Sequence, residues 1–340
     1  MEIFDNKEFK ILRSDEYNFV FDKKTGVFKR WGKTFDDDPE EGLPEIADIE
    51  ISEVCSGVSG SGLCNFCYKS NTKSGRNMSL ETFKKVFSNL PKSVTQIAFG
   101  IGDIEGNPEI WDILWHTRNN GVIPNITING QGITKKIAHK LASVCGAVAV
   151  SLYNKELTFD AVHKLSEEGL KQVNIHFFLA EETYERALRT LDDIKNDERL
   201  ANLNALVFLS LKSKGRAKGN FHSLSQERFT NLVEKSMEKG VRIGFDSCSA
   251  FKYLNAVGYE EPHISFTEPC ESTLFSMYIN VEGKFFPCSF MEGEKGWEKG
   301  IDCTSGEFLK AVWNHGRTCR TRNLVKIARK SCVNCHHFKI

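Results

Sequence analysis

The stretch ADIEISEVCSGVSGSGLCNFCYKS, residues 47 to 70, decides how this chain is read. ADIEISE has the composition of a short strand. Directly after it, Cys55, Cys64 and Cys67 gather in one Gly/Ser-rich loop with no His beside them. Three thiolates in one loop can ligate three irons of a [4Fe-4S] cluster and leave the fourth iron open to a substrate or cosubstrate. Two plainer readings stand beside this one: a zinc knuckle, which would want a fourth ligand close by, and reduced structural cysteines. Phe66, next to Cys67, offers an apolar wall against solvent.

Outward from this loop the chain repeats strand, loop and helix. Candidate strands are residues 47 to 53, 94 to 99, 124 to 129, 146 to 152, 172 to 178, 204 to 211 and 241 to 246. Helical segments lie between them, starting near Ser79, Thr134, Glu182 and Ser225. Ser79 and Ser225 each offer an N-cap hydroxyl, though neither completes a capping box. Such units predict parallel strands joined by right-handed crossovers. The expected fold class is α/β, a partial, TIM-like barrel of (β/α)6 type. Residues 1 to 46 are expected to form an N-terminal β-hairpin, YNFVFDKKTGVFKRW around a Lys-Thr-Gly turn, and a solvated acidic linker, 36 to 41. The barrel is assigned 47 to 262, and a small cysteine-rich module, with few long helices and a hairpin in MYINVEGKFFPCSF, 263 to 340.

Composition narrows the partners. Forty-five basic residues cancel forty-five acidic ones, so no global field favours nucleic acid or an anionic membrane. The first residues hold no uninterrupted apolar run, and nowhere do eighteen apolar residues follow one another. A cytoplasmic protein is expected. Eleven cysteines in a reducing compartment point to metal or catalytic use rather than disulfides, Cys145 in LASVCGAVAV excepted as a core residue.

In an α/β barrel the loops after the strands carry the chemistry. The second strand runs into GIGDIEGNP, where Gly100 and Gly102 permit close backbone approach to a ligand. A dinucleotide fingerprint fails there: the glycine spacing is one residue too long, and Asp103 would repel a pyrophosphate. Asn129, in NGQG after the third strand, can hydrogen-bond ribose hydroxyls or simply make a turn. Ser151 with Tyr153, Asn174 with His176, and Ser210 with Lys212 share parity on apolar strands, which predicts a polar barrel interior. His176 reads equally as a core histidine, and Lys212 as a carboxylate partner or a solvated lysine. Cys248, just past the seventh strand, is either a hydrogen-atom donor or a packing residue. In the tail, twelve residues separate Cys270 from Gly283 and four more separate Gly283 from Cys288; Cys332 and Cys335 follow as C-x2-C. These four cysteines can hold a second cluster or a zinc ion, with Cys303 and Cys319 as spare ligands.

Taken in order, the cysteine loop with its aromatic, the Gly100 to Asp103 turn, the Asn129 loop and the Cys-x12-Gly-x4-Cys run resemble the radical S-adenosylmethionine superfamily with a SPASM/twitch-like extension. One departure stands out. The family spacing is C-x3-C-x2-C, whereas eight residues separate Cys55 from Cys64; added loop length costs little closure entropy.

The resemblance implies a [4Fe-4S] cluster on Cys55, Cys64 and Cys67, with an auxiliary cluster on Cys270, Cys288, Cys332 and Cys335. It implies S-adenosylmethionine bound near Gly100, Gly102, Asp103, Asn129, Ser151, His176 and Lys212, and a 5′-deoxyadenosyl radical that abstracts hydrogen from substrate. The implied partners are a peptide or protein substrate, to be crosslinked, oxidised or epimerised with Cys248 as donor, and a reductant such as flavodoxin or ferredoxin. A small-molecule dehydrogenase of the twitch type and a non-catalytic zinc scaffold are the alternatives.

Overall fold

A computed structural model describes residues 1 to 59, 62 to 333, 335 and 337. The N-terminal residues form four antiparallel strands in chain order: β1 (Glu2–Asp5), β2 (Phe9–Arg13), β3 (Asn18–Asp22) and β4 (Phe28–Trp31). The expected hairpin is the β3–β4 half. The other half was hidden because its turn has no glycine: the Asn6 side chain accepts from the backbone N–H groups of Glu8 and Phe9, each at 2.8 Å. Leu12, Tyr17 and Phe19 from this sheet share a small core with Leu274, Phe275 and Val325.

Strands and helices then alternate: β5 (Ile46–Glu50), α1 (Leu80–Asn89), β6 (Gln96–Gly100), α2 (Ile110–Asn119), β7 (Ile123–Ile128), α3 (Lys135–Val144), β8 (Ala147–Ser151), α4 (Lys155–Glu167), β9 (Gln172–Leu179), α5 (Tyr184–Asn196), β10 (Ala205–Ser210), α6 (Gln226–Glu238) and β11 (Ile243–Phe245). All seven expected strands are present and pair in parallel with their neighbours. Six helices cross between them, as a partial barrel of (β/α)6 type requires. Ser79 caps α1 by accepting from the Thr82 N–H at 3.1 Å, and Ser225 caps α6 by accepting from Arg228 at 3.4 Å.

After α7 (Ala250–Val257) and α8 (His263–Phe266) the tail returns to the barrel. Its hairpin, β12 (Ser276–Ile279) and β13 (Lys284–Phe286), extends the main sheet: β12 lies parallel beside β5, and β14 (Ile301–Asp302) adds to β13. The sheet order is therefore β11-β10-β9-β8-β7-β6-β5-β12-β13-β14. A long helix, α9 (Gly316–Lys330), follows where few were expected. Its six arginines and lysines mask a buried stripe of Thr318, Thr321, Arg322, Val325 and Ala328 at helical spacing, Arg322 being one of the six. The acidic stretch is solvated, as expected, and also lines this helix: Glu40 and Glu41 pair with Lys326, Glu40 with Lys330 and Asp38 with Arg329, all through exposed carboxylates.

Strand parity sorts the two faces of the sheet. Ala47 and Ile49, Ile97 and Phe99, Val148 and Val150, and Val173, Ile175 and Phe177 are nearly inaccessible and pack toward the helices. The alternate residues face inward: Asp48 and Glu50, Ala98 and Gly100, Asn125 and Thr127, Ala149 and Ser151, Asn174 and His176. The interior is thus polar on β8 and β9, as expected, and also on β5 and β7. On β10 it is apolar, because Leu206 and Phe208 take the helix side and put Ser210 on that parity with them. Among the described residues no helix is long and apolar enough to cross a membrane.

Candidate functional site

The loop after β5 closes on itself. Val58 and Gly62 exchange backbone hydrogen bonds of 3.0 and 3.1 Å in an antiparallel bridge. Of the eight residues between Cys55 and Cys64, Val58 and Gly62 are the two ends of this pinch, and Ser56, Gly57 and Leu63 lie outside it. The path from Cys55 to Cys64 that bypasses the pinch has three residues beside the bridged pair. Gly57 makes the pinch possible: its φ is +83°, and a Cβ there would collide with the carbonyl of Gly62.

Neighbouring loops lock this one from three sides. Gly102 lies so close to Val54 and Cys55 that a side chain would strike the Val54 carbonyl. Asp103 accepts from the Ser56 N–H at 2.7 Å and from Asn129 Nδ2 at 3.1 Å. The third clamp is Arg216, in the loop after β10. Its N–H donates to the Cys67 carbonyl at 3.0 Å, Nε to the Cys64 carbonyl at 2.8 Å and an Nη to Asn71 at 3.1 Å. Sequence reading passed over Arg216 as one basic residue in KSKGRAKG; the adjacent Gly215, with φ +56° and packed on the carbonyls of Cys67 and Tyr68, was the signal.

Aromatic rings shield the loop. Phe66 stacks on Phe178, centroids 4.6 Å apart and 8° from parallel, and is flanked by Tyr153 and Phe221. Burial, and then the nearby Cys67 and Cys55, push the Cys64 thiol up to about 11. Burial likewise raises Cys55, while the Arg216 guanidinium pulls both thiols the other way. Thiols in a shielded loop with no nearby imidazole suit a cationic cluster that binds them as thiolates. Among the described residues no three His, Cys, Asp or Glu side chains are already gathered as a group that could hold a metal ion.

The expected cosubstrate residues divide into two groups. Gly102, Asp103 and Asn129 meet at the cysteine loop, Gly100 ends β6 with its carbonyl accepting from Ile51 N–H at 3.0 Å, and Ser151 lies on β8 beside Tyr153. His176 is the β9 neighbour of Ser151, and burial depresses it to about 4, so it is a neutral imidazole. Lys212 lies elsewhere: beyond β10, buried, its ammonium paired with Asp246 and hydrogen-bonded to Cys248.

The inner wall of β5 adds acidic groups that the sequence showed as the alternating Asp48 and Glu50 but that were not singled out. Glu50 pairs with Lys69 at 2.9 Å and accepts from the Tyr278 hydroxyl at 2.8 Å; Lys69 also pairs with Glu292. Asp48 is pushed up to about 7 by its enclosure, with Glu271 adding to the effect.

In the tail, Cys270, Cys288 and Cys335 lie within reach of one another's charge, and burial pushes Cys270 up to about 11 and Cys288 to about 12. Cys332 is exposed beyond the end of α9 and bonds the Tyr259 hydroxyl. Cys303 is buried in the main core with Cys145, and Cys319 lies half-buried on α9.

No family model matches the chain, and no curated protein does. Solved structures do. SuiB of Streptococcus suis bound to its precursor peptide SuiA superposes with a TM-score of 0.69 at 13% identity, covering 94% of this chain and 90% of SuiB. SuiB bound to S-adenosylmethionine gives the same TM-score and coverage at 12% identity. The protein anSMEcpe with bound AdoMet and a peptide, Cp18Cys, follows at 0.61 and 14%, covering 83% of this chain and 84% of that one. At such identities the likeness speaks for the fold. Both neighbouring proteins are seen with S-adenosylmethionine bound, and the chain has their fold.

Proposed function

We propose that this chain is a radical S-adenosylmethionine enzyme acting on a peptide or protein. The observation that carries the reading is the pinched loop, which restores the family's short spacing between Cys55 and Cys64 despite the longer sequence. A [4Fe-4S] cluster with one open iron, when bound, supplies the electron that splits S-adenosylmethionine into methionine and a 5′-deoxyadenosyl radical. Cys55, Cys64 and Cys67 would hold that cluster. Gly102, Asp103 and Asn129 fix the loop at the mouth of the barrel, and Arg216 ties the far side of it to β10. Phe66, Tyr153, Phe178 and Phe221 keep water from the thiols, which protects a reactive radical from side reactions. The polar inner wall, with Asp48, Glu50 and the neutral His176, offers groups to orient a substrate.

A peptide is favoured over a small molecule because both neighbouring proteins were captured with peptides and because β1 pairs only with β2, leaving an edge on which an extended chain can add as a strand. A cytoplasmic location and a flavodoxin- or ferredoxin-type reductant complete the reading. The test is anaerobic reconstitution with iron and sulfide, then dithionite and S-adenosylmethionine. Wild type is expected to be brown, to hold about eight irons for two clusters and to release 5′-deoxyadenosine; Cys64→Ala is expected to lose that product and about four irons. A colourless zinc protein, or undiminished product from Cys64→Ala, would overturn the proposal.

A further inference from the structure

Asp48 and Glu50 stand on the same face of β5, yet their surroundings differ. Glu50 is buried and compensated: Lys69 pairs with it at 2.9 Å, and the Tyr278 hydroxyl donates to it at 2.8 Å. Asp48 stands alone. Among the described residues no hydrogen bond or ion pair reaches its carboxylate. It is exposed to solvent although β5 is an interior strand between β6 and β12, whereas Ala47 and Ile49 on the other face of β5 are fully buried. A wetted side chain in the middle of a sheet marks a hollow interior. Its neighbours leave room: Ala98 is its partner in register on β6, and Gly100 is the next residue of that parity.

The cations on this side of the interior are already committed. Lys69 serves Glu50, Glu292 and the Tyr278 hydroxyl, and Arg30 serves Glu45, Glu268 and Glu271. Lys212 is held by Asp246, and His176 is neutral. No described cation is left for Asp48. Enclosure, with repulsion from Glu271 added, accordingly pushes its carboxyl up to about 7. A cation brought beside it inside the barrel gains more than one paired at a water-screened surface. That cation is organic rather than a metal ion, because among the described residues no three His, Cys, Asp or Glu side chains are gathered to hold one.

We infer that Asp48 selects the peptide substrate by a cationic side chain, lysine or arginine, received inside the barrel at this carboxylate. The inference rests on the proposed peptide substrate and deepens it by naming the charge that the interior reads. S-adenosylmethionine is itself cationic, but the loop residues expected to bind it, Asp103 and Asn129, meet at Ser56, beyond the end of β5. Asp48 lies two residues inside that end, deeper in the barrel.

The test uses the anaerobically reconstituted protein with S-adenosylmethionine and no reductant, so that binding is read without turnover. Calorimetry compares blocked alanine peptides that differ only in a central lysine, arginine, norleucine or glutamate. Wild type should bind the lysine or the arginine peptide at least about tenfold more tightly than the norleucine one, the effect of a close charge pair, and the glutamate peptide most weakly. Asp48→Asn, nearly isosteric, should erase that preference while the norleucine peptide and S-adenosylmethionine bind as before. Those retained affinities separate a lost charge from a misfolded chain. The inference is overturned if wild type binds neither cationic peptide or shows no preference for one, or if the preference survives in Asp48→Asn. It is overturned equally if Asp48→Asn weakens S-adenosylmethionine instead, since the carboxylate then serves the cosubstrate. The radical reading fails by a different readout, the absence of 5′-deoxyadenosine once dithionite is added, which leaves the peptide preference standing.

Discussion

The two cysteine groups of this chain are built in opposite ways. The first takes all three thiols from thirteen consecutive residues, Cys55 to Cys67, and closes them with a bridge inside the same loop. The second, expected from Cys270, Cys288, Cys332 and Cys335, is spread over sixty-six residues of the tail. A locally built site depends on a few backbone conformations. One assembled from distant segments depends on whatever holds those segments in register. The contrast predicts which substitutions injure which site.

The largest effect should come from the pinch. Gly57→Val places a β-branched side chain at φ +83° and drives its Cβ into the Gly62 carbonyl, a backbone conflict worth about 1–3 kcal/mol before any clash is counted. With the bridge open, Cys55 is separated from Cys64 by the full length of the loop. We expect this variant to lose about four irons and one cluster signal, and to fall at least about a hundredfold in 5′-deoxyadenosine release, a barrier rise of about 2.7 kcal/mol. The second cluster should be retained in full. If both clusters vanish together, the sites are not independent and the contrast breaks.

Next in size is a substitution far from any cysteine. Arg30 on β4 is buried and reaches Glu45 at 2.7 Å, Glu268 at 3.0 Å and Glu271 at 3.1 Å, with its guanidinium 3.5 Å from the Phe275 ring centroid. Glu268 and Glu271 bracket Cys270, so the small N-terminal sheet clamps one segment of the second site. Arg30→Met removes the cation and leaves the buried Glu45 carboxylate uncompensated beside the partly exposed Glu268 and Glu271; an uncompensated buried charge typically costs about 3–5 kcal/mol. Urea unfolding should show a loss of this order. In the folded fraction the iron of the second cluster should fall, with the three-cysteine cluster unaffected. A drop confined to the first cluster would reverse the argument.

The same contrast explains what could be read before the fold was known. Seven strands and a three-thiol loop were legible because hydrophobic alternation and clustered cysteines are short-range signals. The clamp by Arg216 and the acidic partners of α9 were not, since each depends on which loop crosses which. Glu40 and Glu41 are solvated, as their run suggests, but nothing local shows that Lys326 and Lys330 stand opposite. The extra turn in the first strand pair escaped because an Asn side chain did the work usually given to glycine.

The smallest expected effect on either cluster is the sharpest check on the local site. If the bridge from Val58 to Gly62 merely sets aside five residues, deleting 58 to 62 leaves Cys-Ser-Gly-Leu-Cys, a three-residue gap across which the cysteines already face one another in the folded chain. Such a shortening forfeits the hydrogen bond from Ser59 N–H to Gln131 Oε1 at 2.7 Å, worth about 0.5–1.5 kcal/mol, and the burial of the Val58 side chain, worth about 1.5–3 kcal/mol, and gains a little from a shorter loop. The deletion should therefore keep the iron count and the signal of the first cluster, and lower unfolding free energy by no more than about 4.5 kcal/mol. Wholesale loss of that cluster would mean that residues 58 to 62 shape the metal site directly. The long spacing would then be a different architecture from the short one, and the case for equating the two would end there.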